Sequence, residues 1–555
     1  MSRIIFQPGL PVVRSAPNRA DVACFVGFLS LRAGATVPNN IAAWLEGEGM
    51  FRSSLSRAGQ ERLRMGAPLG LQDIAVIDVP IPIDDWAVFD RLFSWEQRSS
   101  DPVDGATYMG CAVRSFFGQG GRKCYVISLG DPVVGDASRE DREQKLKELV
   151  PGYPSMLDPV RVSAADRADW SSVGHLFGLP DVSFICLPDL PDLVSDPAKA
   201  ISPTPPPAAE EEHFVECTPE MRSKAGAKIS KLAAPRCDDS GYQRWQQALE
   251  VLQQLPDRDP LIQEMQLIAA VPIPEEQCAA ATDMLSYLSA PNPRDFDAAK
   301  PVGHPQPVLQ APGIDPLPRS GAFLQLAYPW LRTTGSAALP EGIEPPDGAL
   351  AGLLARNALT RGTFASGTKI PVSNVFDISP GLRGAETETP GLPATDSITG
   401  LPPRTLVQRV SLFAPTPHGI GLISDVNVHP DESFRPAPVN RLVAVIVRAA
   451  RTLGEAHVFD GNGERTWALV RLHLTELMTN LWAAGALNGD KAEQAFSVAC
   501  DRSTMTQNDL DNGRMIASVS FTPVALIETI TVLLSLSAGD AGADALVAVA
   551  GSEVA

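Results

Sequence analysis

The chain lacks the short signatures that mark most enzymes. It has no HExxH, no GxSxG, no GxxxxGK[ST], and no GxGxxG following a strand-like run. Those spacings place zinc ligands, an activated nucleophile or phosphate-cradling amides, so the chemistries that depend on them have no anchor here. Histidine is scarce: His175, His213, His304, His418, His429, His457 and His473 show no i, i+3 or i, i+4 pairing. A metal site would have to be assembled from distant segments. The eight cysteines include no CxxC pair, and Cys24, Cys111, Cys124, Cys186 and Cys500 sit inside apolar runs. They read as reduced, buried thiols acting as small hydrophobes. Cys217 and Cys237 lie in a polar segment, where the sequence leaves their pairing open.

Long apolar runs are also missing. The best candidate, Thr529–Leu536, has the length of a strand and not of a membrane span. The opening MSRIIFQPGLPVVR carries two prolines and no extended apolar core, which excludes a signal peptide. The expected place of synthesis and assembly is the cytoplasm, with release by lysis. Positive charge is in deficit, with 46 Lys and Arg against 65 Asp and Glu, a net charge of −19. Such a chain repels phosphate, so neither nucleic acid nor an anionic membrane is an expected partner.

Two segments imitate ligand loops. Gly118-Gln-Gly-Gly-Arg-Lys123 follows a helix and precedes a strand, the reverse of the order that aims helix N–H groups at a phosphate. Asn508-Asp-Leu-Asp-Asn-Gly513 puts Leu510 where a calcium loop needs oxygen and lacks the closing Glu. A helix-to-strand turn and a capped turn are the readings that fit. No catalytic, cofactor-binding or metal residue is assigned, and no cofactor is expected.

What is present is a multi-domain α/β pattern. A chain of 555 residues, 44% hydrophobic and 20% charged, is expected to form roughly two to four packed domains. Ala23–Leu29, Ile74–Ile83, Lys123–Leu129, Val182–Leu187 and Glu264–Val271 are short apolar runs of buried-strand type. Helical spacing begins at Asp85 and recurs over Tyr108–Phe117, Asp136–Glu148, Trp245–Leu255 and Glu275–Leu288. Strands alternating with helices predict an α/β layer that is at least partly parallel. Ser195–Glu212, with Pro205-Pro-Pro207 and Glu210-Glu-Glu212, and Pro291–Pro318 read as Pro-rich connections.

The C-terminal part has the clearest pattern. Val439–Leu453 is a predicted helix with Leu442, Ile446, Ala449 and Leu453 on one face. Arg441, Arg448 and Arg451 lie on the other face, with no carboxylate between them. Trp467–Ala484 is a second helix closed by Gly485, and Asp490 with Glu493 suggests a capping box for a third. Met515–Thr522 alternates as a half-buried strand with Thr529–Leu536 as its partner. Both termini are extended. Phe6, Leu10, Val12 and Val13 at one end, and Leu546, Val547 and Val549 in a detached strand at the other, suit addition to a sheet edge elsewhere.

Five stretches, in order, resemble the phage-type contractile tail sheath family of bacteriophages and extracellular contractile injection systems. They begin with Pro8-Gly9-Leu10-Pro11-Val12, followed by Ala23-Cys-Phe-Val-Gly27. Next come Trp86-Ala-Val-Phe89 through Phe93, Ala112-Val113, Phe116-Phe-Gly-Gln-Gly-Gly121 and Cys124-Tyr-Val126. The third is Tyr328-Pro-Trp-Leu331, Pro345-Pro346-Asp-Gly348, Ala351-Gly352 and Arg361-Gly362. Val458-Phe-Asp-Gly-Asn462, Trp467, Leu481-Trp482 and Gly485-Ala-Leu487 form the fourth. Ala495-Phe496, Cys500-Asp501, Thr506 and Asp511-Asn-Gly-Arg514 complete the set. The family's APAN segment after the Arg-Gly pair is replaced by Ala365-Ser-Gly-Thr-Lys369 and Pro371-Val-Ser-Asn374.

The resemblance implies a structural subunit and not an enzyme. Its implied fold is an inner domain, made from the N-terminal strand and the C-terminal part, with an outer α/β domain inserted. The expected boundaries are a linking arm at 1–20, outer domain at 21–135, an elaboration at 136–318, more outer domain at 319–403, a tube-facing inner domain at 404–537 and a second arm at 538–555. Implied partners are further copies in stacked, hexameric rings, an inner tail tube, and baseplate and terminator proteins. In that setting Arg441, Arg448 and Arg451 are expected to face an acidic tube. A sheath-like paralogue at the baseplate or terminator end is the nearest alternative; an α/β hydrolase or transferase with an unrecognised site is a third.

Overall fold

The structure, a computed structural model, describes residues 20–35, 37–47, 65, 77–98, 105–154, 170–197, 233–257, 261–275, 320–382, 406–429, 434–457, 461–524, 530–536, 538–539, 542–543 and 546–551. Phe6, Leu10, Val12 and Val13, and with them residues 1–19 of the N-terminal arm, lie outside the described residues, as does Cys217.

An eight-stranded sheet forms the larger domain. In chain order its strands are β1 (Val22–Gly27), β2 (Pro80–Ile83), β3 (Lys123–Ser128), β4 (Phe184–Cys186), β5 (Gln266–Ala270), β6 (Leu324–Tyr328), β7 (Ser411–Thr416) and β8 (Gly419–Leu422). Across the sheet the order is β8-β7-β6-β5-β4-β1-β3-β2. The six middle strands are parallel, and β2 and β8 pair antiparallel at the two edges. Parallel strands covered on both faces must be apolar throughout, and all six residues of β1 are buried. Ala23 and Phe25 point into one core, and Val22, Cys24 and Val26 into the other.

Helices α1 (Tyr108–Gln119) and α4 (Asp347–Thr360) cover the first face; α2 (Arg139–Leu149) and α3 (Asp239–Gln253) cover the second. α1 and α4 meet backbone to backbone. A Cβ on Gly348 would fall on Ala112, and one on Gly352 on the Phe116 backbone. Only glycine permits that approach at these two positions, which lie one turn apart on α4. The Pro345–Gly352 stretch of the sequence resemblance therefore has a packing reason.

Two expected boundaries are corrected. Residues 136–318, expected as an elaboration on the layer, are part of the layer itself: they supply β4 and β5, which stand between β1 and β6, together with α2 and α3. Likewise β7 and β8, expected in the inner domain, extend the large sheet. Short strands from separate sequence regions complete one mixed sheet, which the Pro-rich composition around them obscures.

The smaller domain is antiparallel. Helices α5 (Ala437–His457) and α6 (Glu464–Ala483) pack with a sheet of β9 (Phe496–Ala499), β10 (Met515–Phe521), β11 (Ile530–Leu536) and β12 (Leu546–Gly551), in that order. The alternation along β10 is as expected, with Met515, Ala517, Val519 and Phe521 buried. Gly485 takes φ +79 just past the end of α6, the left-handed closure its position predicts. The Asp490/Glu493 capping box does not form; Thr506 and Asp509 make one instead, on the short helix Gln507–Asp511.

Candidate assembly sites

α5 joins the two domains. Its Leu442, Val443, Ile446 and Val447 belong to the core of the smaller domain, while the polar stripe turns toward the large sheet. Arg441 donates to Asp425 through two bonds, Nη1 to Oδ1 at 3.1 Å and Nη2 to Oδ2 at 2.7 Å. Arg448 donates to the carbonyl of Val182 at 2.7 Å and to the Ser183 hydroxyl at 3.0 Å. Arg451 grips Glu264 with Nε to Oε1 at 2.7 Å and Nη2 to Oε2 at 3.0 Å. Arg448 Nε also lies 3.4 Å from the same carboxylate.

This corrects the reading of Arg441, Arg448 and Arg451 as a tube-facing surface. All three are buried, and their carboxylates come from other segments, so a helical wheel of α5 cannot show them. Burial alone would raise the Asp425 carboxyl, but Arg441 outweighs it and holds the group below its usual range. Burial lowers Arg448, whereas Glu264 overcomes burial and raises Arg451.

The smaller domain presents a different surface outward. On α6, Thr466, Trp467, Val470, Leu474 and Met478 are buried, and Leu469 and Leu472 are not; Leu472 is 60% exposed. Arg465 and Arg471 are exposed beside them. Sequence reading passed over this face, although Leu472 falls outside the Trp467–Val470–Leu474–Met478 stripe and that offset is visible in the spacing.

The C-terminal strand is not detached. β12, which contains Leu546, Val547 and Val549, pairs antiparallel with β11 of its own chain, in the register Val547↔Leu534 and Val549↔Val532. An exposed edge on β11 takes the nearest strand available, and β12 follows it in sequence.

A second set of buried charges lies within the large domain. Asp192 joins Arg98, at 2.7 Å, to Arg142, at 3.0 Å. Burial would raise Asp192, but the two guanidinium groups more than offset it and the carboxyl sits low. Asp189 accepts the backbone N–H of Phe28 at 2.7 Å and of Met109 at 3.2 Å, tying α1 to the end of β1. Burial pushes Asp189 up to about 6 and Asp347, at the start of α4, up to about 7. Burial, partly offset by the Ser115 hydroxyl that donates to it, pushes Glu344 up to about 8. These carboxyls have backbone and hydroxyl partners and serve as internal fasteners. Among the described residues no group of three or more His, Cys, Asp or Glu is placed to hold a metal ion. Nor is any described helix long and apolar enough to cross a membrane.

Residues 429–537 match the family model described as phage tail sheath C-terminal domain. Among solved structures, a chain of the anti-feeding prophage baseplate in the contracted state is similar at 16% identity, covering 94% of this chain and 94% of that one, with a TM-score of 0.53. A chain of the sheath complex of the extracellular contractile injection system PVC, also contracted, matches at 15% identity over 94% and 95%, with a TM-score of 0.46. The sheath tail protein of Desulfitobacterium hafniense matches at 15% identity over 55% and 62%, with a TM-score of 0.29. No curated protein sequence matches the chain. The matched segment is the domain built on α5, α6 and the antiparallel sheet, so the chain carries a domain of the phage tail sheath C-terminal type.

Proposed function

We propose that the chain is the structural subunit of a contractile sheath, polymerising as stacked hexameric rings around an inner tube and shortening to drive that tube forward. The observation that carries this reading is the phage tail sheath C-terminal domain at residues 429–537, fixed to a large α/β layer by the buried stripe of α5. A domain bolted rigidly to its neighbour can pass a lattice rearrangement from one to the other. Contraction then needs no nucleotide: a metastable extended lattice relaxes through its interfaces. Catalysis has no part in it.

The exposed Leu469–Leu472 face of α6, with Arg465 and Arg471, takes over as the tube-facing surface from the α5 arginines. The arm around Phe6–Val13 and the strand Leu546–Gly551 are the linking elements, adding to the antiparallel sheet of a neighbouring copy. Baseplate and terminator proteins would meet the ends of the polymer. A second reading has one observation in its favour: the match with a TM-score of 0.53 is to a baseplate chain, which suits a sheath-like ring at that end.

Electron microscopy of the purified chain separates these readings. Long striated cylinders are the expected result, short rings would favour the baseplate-end paralogue, and uniform single particles at all concentrations would defeat both.

A further inference from the structure

Two half-buried charges in the large domain have no oppositely charged partner among the described residues. Arg356, on α4, is held in place by the loop that follows the helix: its guanidinium donates to the Ser373 hydroxyl at 3.3 Å and to the Pro371 carbonyl. No carboxylate meets it among the described residues, and its Nε is buried without an acceptor. The loop is fixed in turn, because the Ser373 N–H donates to Gln119 Oε1 at 2.8 Å. One helical turn on from Arg356, Leu359 is exposed, and Phe376, three residues past Ser373, is 61% exposed.

Glu250, on α3, is the converse. It is half-buried, its Oε2 is buried and unpartnered, and no cation stands beside it among the described residues. Gln243, Gln246, Gln247 and Gln253, which share its side of the helix by spacing, are neutral amides. Burial, with nothing offsetting it, pushes the Glu250 carboxyl up to about 7.

Half-buried charges without partners are costly, and a chain of net charge −19 offers any copy of itself many carboxylates but few such waiting cations. α4 and α3 lie on opposite faces of the eight-stranded sheet. One face presents a fixed guanidinium with apolar side chains exposed on the same helix and loop, the other a carboxylate among amides. Complementary patches on opposite faces make a head-to-tail contact that can close a ring. We propose that Arg356 of one copy pairs with Glu250 of the next, joining large domains side by side in the polymer.

The proposal rests on the polymer reading above, and charge exchange tests it separately. Arg356→Glu and Glu250→Arg are each expected to raise the concentration needed for assembly by about tenfold, and the double exchange to restore it to near the wild-type value. Melting of the unassembled variants followed by circular dichroism checks that each folds; Arg356→Ala and Glu250→Gln replace any that does not. Singles that assemble like wild type, or a double exchange no better than the singles, would overturn the pairing. Failure of the wild-type chain to polymerise would instead count against the sheath reading.

Discussion

Arg441 holds Asp425 by two parallel N–H···O bonds of 3.1 and 2.7 Å, with both side chains buried. The pair ties α5 to the segment that follows the last strand of the large sheet, and Asp425 also accepts the Gly367 N–H at 2.9 Å. Removing one member leaves the other as an uncompensated buried charge. Arg441→Ala or Asp425→Ala should therefore cost about 3–5 kcal/mol in denaturant unfolding. Replacing both together should cost less than the two single losses added. A loss under about 1 kcal/mol for either single variant would show that the pair does not hold the joint.

The seam between α1 and α4 gives a second expectation. Gly352→Val places a branched side chain against the Phe116 backbone, which can yield only by separating the helices. Destabilisation should reach about 1–3 kcal/mol or more, the range usual for overpacking. Gly461→Ala, at a position where nothing lies within 4 Å of an added Cβ, is the matched control and should be close to neutral.

Stability should also depend on pH in an unusual direction. Asp189, Asp347 and Glu344 titrate at about 6, 7 and 8 in the folded chain, against about 4 when unfolded. Between those limits the folded state holds protons that the unfolded state has released, so stability falls as pH rises from about 4 toward 8. Asp192 and Asp425 are shifted down, so their contribution is lost as pH falls below the ordinary carboxylate range. The melting temperature should peak in mildly acidic solution, and Glu344→Gln should flatten its decline on the alkaline side. A melting temperature that climbs steadily from about pH 5 to about pH 8 would contradict this.

Terminal deletions address the linking strands. Removing residues 1–14 should leave the melting temperature of the monomer unchanged while weakening cohesion of the polymer. Removing 546–551 strips β12 from β11 and should expose an edge, seen as irregular association. Normal cylinders from both truncated chains would rule out a linking role.

Much of the fold was legible in the sequence. The apolar runs at Ala23–Leu29 and Lys123–Leu129 are β1 and β3, and the helical spacing over Tyr108–Phe117 is α1. Local signals sufficed there because each residue's burial follows from its own segment. The joint was not legible, because Glu264 and Arg451 are 187 positions apart and only the folded chain brings them together. Arg441, Arg448 and Arg451 therefore looked like a solvent-facing stripe. The detached appearance of Leu546–Val549 arose similarly: nothing local reveals that β11 leaves an edge open beside it.

The pairing of β12 with β11 has a kinetic consequence. A strand that belongs to the same chain as its partner edge revisits that edge at an effective concentration on the order of millimolar. A neighbour's strand arriving free from solution competes poorly against that. One presented in register by a ring already in place does not have to, since it too is held locally. Self-occupation of the edge thus favours elongation over spontaneous nucleation, and lets the subunit accumulate until a template appears.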